Sequence, residues 1–392
     1  MRILFLAPQP FFEVRGTPLA VLAMLRALTG LGHQVSLLSY PQGTPVDVPG
    51  LVQHRSLRLP VGRVKAGPSL AKLALDVPYM LEAYLRMAFG RYDVVHAVEE
   101  AAHLAAPLAR LLGLPLVVDV DSSIPDQLRY SGFATRGPLL WAAESLERQA
   151  LRRAAAVITV CSSLTEGVKR TAPEAPVFQV EDPPLSEASA APSPADLANL
   201  RANLGLREGP VVLYSGNFEP YQGVELLVDT ASLVPEAQFL FMGGEPSEIE
   251  AIKERARRRG AGERCVFSGK RSPAELTLFL AIADVLASPR LKGANTPFKI
   301  YTYLASGCPV LATRIPAHTQ LLDDTLAFLA QPTPDGLAAG IRQALADPAE
   351  AGRRAARGRA LIDREYSASR FAEKVRAAYA AVETALRRSH GG

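Results

Sequence analysis

The feature that most limits how this 392-residue chain can fold is an alternation, run through twice, of short apolar stretches with segments of helical periodicity. In the first half, Ile3–Ala7, Val35–Ser39, Val94–Ala97, Leu116–Val120 and Ala156–Val160 read as strands. Helical patterns fall between them at Leu19–Leu28, in the Ala/Leu-rich stretch ending near Leu112 and Gly113, and at Trp141–Arg153. Runs that are apolar throughout suit strands covered on both faces, and their alternation with helices predicts βαβ units and parallel sheets. The program restarts with strands at Val211–Ser215, Gln238–Met242, Cys265–Ser268, Val285–Ser288 and Val310–Ala312. Helices at Val224–Leu233, Ile249–Arg259, Pro273–Ile282 and Lys299–Ala305 separate them. The expectation is an α/β chain of two Rossmann-like domains facing across a cleft, residues 1–185 and 196–365, joined by a Ser/Ala/Pro-rich linker at 186–195. Residues 366–392 read as a helix and tail, with Phe371, Val375, Tyr379 and Val382 on one stripe that must dock somewhere.

Composition narrows the function classes. A hydrophobic share of 48% excludes a disordered chain. A net charge of +4 over this length is too mild for a nucleic-acid footprint, so no nucleic-acid partner is expected. Cys161, Cys265 and Cys308 are far apart and odd in number, which fits a reducing cytoplasm better than a disulfide framework. The run Ile3–Ala7 is too short and too soon interrupted by Pro8 and Pro10 for a signal peptide. No apolar stretch reaches the roughly 20 residues of a spanning helix. The expected setting is cytoplasmic, or peripheral on the inner face of the plasma membrane.

Three segments carry chemistry. In the loop Pro8 to Pro18, Gly16 permits close backbone approach, and the following helix N-terminus favours an anion or a sugar hydroxyl; a plain βα turn is the alternative. A nicotinamide-type GxGxxG is missing there and elsewhere. Asp119-Val-Asp121 ends a buried strand beside Ser122 and Ser123. A sugar-contacting or catalytic-side role is favoured over a metal pair, with a structural role as the bland reading. From Ser288 to Val310, a strand ends in Arg290, a polar loop follows, and Pro297 opens a helix with Lys299 in its first turn. A cation sits badly at the positive end of a helix dipole, and no acid lies between Pro289 and Pro309. A diphosphate at that terminus, countered by Lys299 and Arg290, removes the conflict.

The residues from Pro297 to Val310, Pro-x-Lys-x-x-x-Tyr-Leu-Ala-x-Gly-x-Pro-Val, resemble the nucleotide-sugar helix of the family 4 (group 1) glycosyltransferases, retaining enzymes of the GT-B fold. Ser215 to Leu227 resembles that family's glycine loop. Met242-Gly-Gly-Glu, Phe267-Ser-Gly-Lys-Arg and Ala283 to Arg290 follow in the family's order. So do Gly16-Thr-Pro, Tyr92 to Ala97 and Val117 to Ser123 in the first half. The resemblance covers about residues 1 to 385. Two departures stand out: Ala294 and Thr302 occupy the places of a frequent glutamate pair, and Asp121 stands where a histidine is common.

The resemblance implies a nucleoside diphosphate sugar as donor, no cofactor or divalent metal, net retention, and a C-terminal helix crossing back to the first domain. It places donor contacts at Gly16, Gly216, Asn217, Gln222, Gly244, Glu245, Lys270, Arg271, Asn295, Thr296, Pro297, Phe298 and Thr302, catalytic groups at Asp121, Lys299 and Arg290, and acceptor contacts at Thr17, Ser122 and Ser123. The acceptor would be a glycan or lipid-linked. Val61–Arg91 mixes Arg63, Lys65, Lys72, Arg86 and Arg91 with leucines and tyrosines, and reads either as surface helices packed on the core or as a face for an anionic membrane. A nucleotide-sugar epimerase of the same fold and a non-catalytic nucleotide-sugar-binding subunit are the alternative functions.

Overall fold

The computed structural model describes residues 1–13, 16–60, 70–130, 135–185 and 192–390. Val14, Arg15, Arg63, Lys65 and residues 186–191 of the expected linker lie outside the described residues. The chain divides into two compact units, Met1–Asp182 with Ser369–Gly392, and Pro183–Ala368.

Unit 1 runs β1 (Arg2–Pro10), α1 (Gly16–Gly30), β2 (Gln34–Tyr40), β3 (Leu51–Arg55), α2 (Leu70–Phe89), β4 (Val94–Val98), α3 (Glu100–Leu111), β5 (Leu116–Val120), α4 (Ile124–Tyr130), α5 (Pro138–Arg153), β6 (Ala156–Thr159), α6 (Ser162–Thr171) and β7 (Val177–Gln179). Its seven strands are all parallel, in the order β3-β2-β1-β4-β5-β6-β7. Every residue of β4 and β5 is buried, which is why they read as unbroken apolar runs.

Unit 2 runs α7 (Pro194–Asn203), β8 (Val211–Ser215), α8 (Val224–Ala231), β9 (Gln238–Met242), α9 (Pro246–Arg258), β10 (Cys265–Gly269), α10 (Pro273–Ala281), β11 (Val285–Ser288), α11 (Phe298–Ser306), β12 (Val310–Thr313), α12 (Pro316–Thr319), β13 (Phe328–Ala330), α13 (Pro334–Ala346) and α14 (Pro348–Leu361). Its six parallel strands follow the order β10-β9-β8-β11-β12-β13. Local signals place the helix starts. Ser193 with Asp196 and Ser272 with Glu275 form reciprocal capping boxes ahead of α7 and α10, each with proline in the first turn.

In each sheet the strand order reverses once, between β1 and β4 and between β8 and β11. The crevice beyond the carboxyl ends at such a point is where an open α/β sheet admits a ligand. The last helix, α15 (Ala368–His390), joins unit 1, as expected. Phe371, Val375, Ala378, Tyr379 and Val382 are buried in the same core as Ile3, Phe5, Leu25, Leu37 and Ile158. At about 1.5–3 kcal/mol for each of the four large side chains, that stripe contributes roughly 6–12 kcal/mol of gross burial, an upper estimate.

Candidate functional site

In unit 2 the carboxyl ends of β8, β9 and β11 come close enough to exclude side chains. A Cβ on Gly243 (φ +125) would stand 1.9 Å from the Gly216 carbonyl oxygen. One on Gly216 (φ +142) would stand 2.8 Å from Lys299 Nζ. Two backbones and a lysine head thus share one small space. Lys299, in the first turn of α11, is half-buried, with Nζ 3.9 Å from the centroid of the buried Tyr214 ring and 3.4 Å from Gln222 Oε1. Burial and then the charge of Arg290 hold the Lys299 amine well below its ordinary pKa. No carboxylate pairs with it among the described residues.

Arg290 is itself buried. Its Nε donates to the Lys292 carbonyl (2.7 Å), one terminal nitrogen donates to Asn295 Oδ1 (3.0 Å), and its guanidinium lies 5.3 Å from the Tyr221 ring centroid. Behind it, His318 bridges Ser288 Oγ (2.9 Å) and the Thr313 carbonyl (2.8 Å), and the Thr313 hydroxyl donates to the Arg290 carbonyl. Burial drives the His318 pKa down to about 4, so a neutral imidazole braces the strand end. The result is an arginine and a lysine brought together at a helix N-terminus and facing a glycine-lined backbone. That arrangement suits a diphosphate.

The other expected donor residues divide. Asn217 is exposed next to Gly216, and its carbonyl accepts from Tyr214 Oη (2.5 Å). Thr296 and Pro297 are buried at the α11 N-cap, where Phe298 follows half-buried. Glu245 is the N-cap residue of α9 and pairs with Lys270, beside Gly244. Arg271 points to Glu275 (3.4 Å) and the Phe279 ring, on the surface. Thr302 is buried, and its hydroxyl accepts from the Leu185 amide (3.0 Å), which ties down the start of unit 2. Gly16 begins α1 in unit 1. A Cβ there would meet nothing within 4 Å, so crowding does not demand a glycine at that position.

In unit 1 a second polar cluster lies on β4 and β5 and just past the end of β5. His96 is buried and stacked on Phe5 at 4.2 Å, with Nε2 3.1 Å from Asp119 and Nδ1 2.8 Å from the Tyr379 hydroxyl of α15. Asp121 is buried and accepts from the Thr17 side chain. Burial foremost, then Asp119 and Asp182, push its carboxyl well above the ordinary range. Burial first, then the charges of Asp119 and Glu181, push Asp182 up to about 7. Ser122 donates to Glu99 (2.6 Å), and Ser123 donates to Glu147 (3.4 Å). Glu99 has φ 49, the one non-glycine residue with positive φ among the described residues. Among the described residues no three His, Cys, Asp or Glu side chains form a metal ligand set. Tyr214, Glu99 and Asp182 escape sequence reasoning, because their signal is proximity across the fold and no local motif marks them.

Comparison with known proteins decides the class. A family model described as "Glycosyl transferase 4-like domain" matches residues 15–181, and one described as "Glycosyl transferases group 1" matches residues 209–347. The chain belongs to the group 1 glycosyltransferases. It is an enzyme of the glycosyltransferase class, and its two parallel-sheet units are the domains of the GT-B fold. The sulfoquinovosyl transferase of Arabidopsis thaliana is 24% identical over 317 residues, covering 79% of this chain and 59% of its own length. A GDP-mannose-dependent α-(1-6)-phosphatidylinositol monomannoside mannosyltransferase of Mycolicibacterium smegmatis is 30% identical over 236 residues, covering 56% of this chain and 61% of its own. The glycosyltransferase therefore spans about three fifths of the length of each of these relatives. The sucrose-phosphate synthase of Thermosynechococcus elongatus superposes with a TM-score of 0.79 at 21% identity, covering 98% of this chain and 99% of that one, a likeness of fold.

Proposed function

We propose that this glycosyltransferase uses a nucleoside diphosphate sugar and transfers the sugar, with retention at the anomeric carbon, to a glycan or lipid-linked acceptor at the cytoplasmic side of an anionic membrane. The observation that carries the donor reading is Lys299, half-buried beside Arg290 at the α11 N-terminus, with no carboxylate to pair it among the described residues. A diphosphate would dock beside its amine, next to Gly216, whose missing side chain leaves room there. The two cations supply the counter-charge as the nucleotide departs, a task that in other transferases falls to a divalent ion. The M. smegmatis relative is by its name GDP-mannose-dependent and acts on a phosphatidylinositol monomannoside, which supports both halves of the reading.

The bond between the anomeric carbon and the β-phosphate oxygen breaks, a bond to the acceptor oxygen forms on the same face, and the acceptor proton passes to the departing phosphate. Burial favours the uncharged form of Asp121, which suits donation of a hydrogen bond to an acceptor oxygen better than stabilisation of positive charge on the sugar ring. The test is incubation with a panel of nucleotide sugars, with and without lipid-linked acceptors and with and without EDTA. Acceptor-dependent release of nucleoside diphosphate that survives chelation is expected. A new epimeric nucleotide sugar, or tight binding with no acceptor-dependent release, would refute the transferase reading. Loss of turnover in EDTA would refute the metal-free one.

A further inference from the structure

Helix α2 has two apolar faces. One is inside: Leu75, Tyr79, Met80, Ala83 and Met87 are buried in the unit 1 core. The other faces solvent: Leu73, Val77, Leu81, Leu85 and Phe89 are 53, 73, 60, 50 and 83% exposed. Residues spaced by four are neighbours on a helix and advance by about 40° each step, so these five form a ridge about 24 Å long that winds round the outer half of α2. The charged side chains of α2 do not share it. Lys72 pairs with Glu100 (2.5 Å), Arg86 with Glu82 (2.7 Å), and Asp76 accepts from the Tyr40 hydroxyl, all half-buried. Single exposed leucines are ordinary, but a contiguous ridge on an otherwise soluble-looking unit is not. Of the thirteen large hydrophobics that stand exposed among the described residues, eleven belong to unit 1.

The surroundings say what covers the ridge. Between Arg55 and Arg91 the sequence holds seven lysines and arginines against two acids, an excess larger than the +4 of the whole chain. Arg58, ahead of the helix in sequence, and Arg91, just after it, are exposed. Edge strand β3 adjoins the helix, since His54 lies within electrostatic reach of Arg86 and Glu82, and Val52 and Leu57 add exposed apolar surface there. A second copy of the chain would bring the same excess of cations against itself. An anionic surface with an apolar interior complements both features.

We propose that the outer face of α2 is a membrane-docking face that lies in the interfacial region of an anionic lipid bilayer, with Val77, Leu81 and Leu85 inserted among the acyl chains and Leu73 and Phe89 at the two ends of the contact. This deepens the reading of a lipid-linked acceptor and rests on it. Flotation of the full chain with phosphatidylcholine–phosphatidylglycerol vesicles, with pure phosphatidylcholine vesicles as comparison, tests it alongside the double variant Val77→Glu/Leu81→Glu. Both positions face solvent, so the variant folds, and unchanged nucleoside diphosphate binding checks that. The wild type is expected to float with the anionic vesicles only, and the variant to lose about tenfold or more of that partition. No flotation, equal flotation on zwitterionic vesicles, or a variant that floats like the wild type would each overturn the proposal. So would a dimer in size-exclusion chromatography that the variant dissolves in place of flotation. Flotation without sugar transfer to any lipid acceptor would refute the acceptor reading and leave the docking face standing. Transfer without flotation would do the reverse.

Discussion

Replacing Lys299 by Met keeps most of the side-chain stem over the Tyr214 ring and removes only the charge. A charge-assisted hydrogen bond to phosphate is worth about 1.5–3 kcal/mol, so nucleoside diphosphate affinity should fall about 10- to 150-fold. The pH dependence is more diagnostic than the size. Burial and Arg290 hold the free amine well below its usual pKa, and a diphosphate beside it draws the proton back. Binding therefore takes up a proton wherever the pH lies above the depressed value and below that of the complex, and affinity declines as pH rises through this window. The same shift makes unit 2 gain stability as pH rises between the depressed and the unfolded pKa, because there the unfolded chain binds the extra proton. Isothermal titration calorimetry with UDP, GDP and ADP, in buffers of different ionisation enthalpy, reads both quantities. A Lys299→Met protein that binds within twofold of the wild type, or that keeps the wild-type proton uptake, would refute the assignment of the diphosphate to Lys299.

Asp121→Asn should melt higher than the wild type at pH 8 by a few degrees and converge with it below about pH 4. The raised carboxyl pKa gives stability that is present in acid and lost as pH climbs, which thermal melts across pH would show. His318→Gln should flatten the acid limb of unit 2. The buried imidazole, at about 4, contributes up to roughly 3 kcal/mol that is present above pH 6.5 and lost as pH falls toward 4; an unchanged denaturation profile between those values would count against the bracing role. Gly243→Ala forces a methyl against the Gly216 carbonyl and should cost about 2 kcal/mol or more in chemical denaturation. Tyr379→Phe removes the hydroxyl from the buried His96 Nδ1 and should cost about 1–3 kcal/mol, measured the same way.

The central strands were legible because burial on both faces writes an uninterrupted apolar run. The edges were not. β3, with the sequence Leu-Val-Gln-His-Arg, is half exposed, while β7 and β13 are three residues each, and none of the three leaves a pattern that separates it from loop. The meeting of Lys299 and Arg290 near the start of α11 was legible because two cations without local acids contradict the helix dipole, a conflict visible in one dimension. The environment of Asp121 was not. Thr17, Asp119 and Asp182 meet it only after folding, and the His96 to Tyr379 bond spans 283 positions. Thr302 carries a contact that no local motif marks: the resemblance puts it with the donor contacts, and its hydroxyl also accepts from the Leu185 amide, 117 positions away.

The return of α15 to unit 1 has a consequence for biosynthesis. The side of the sheet formed by Ile3, Phe5 and Val94 lacks Phe371, Val375, Tyr379 and Val382 until the ribosome has passed through all of unit 2. At about 5–20 residues per second, the first 182 residues wait on the order of 10–40 s for their closing segment. During that interval a strip of unit 1 core is open to water and to chaperones, whereas unit 2, continuous in sequence, needs nothing made later. The order of completion is thus the reverse of the order of synthesis.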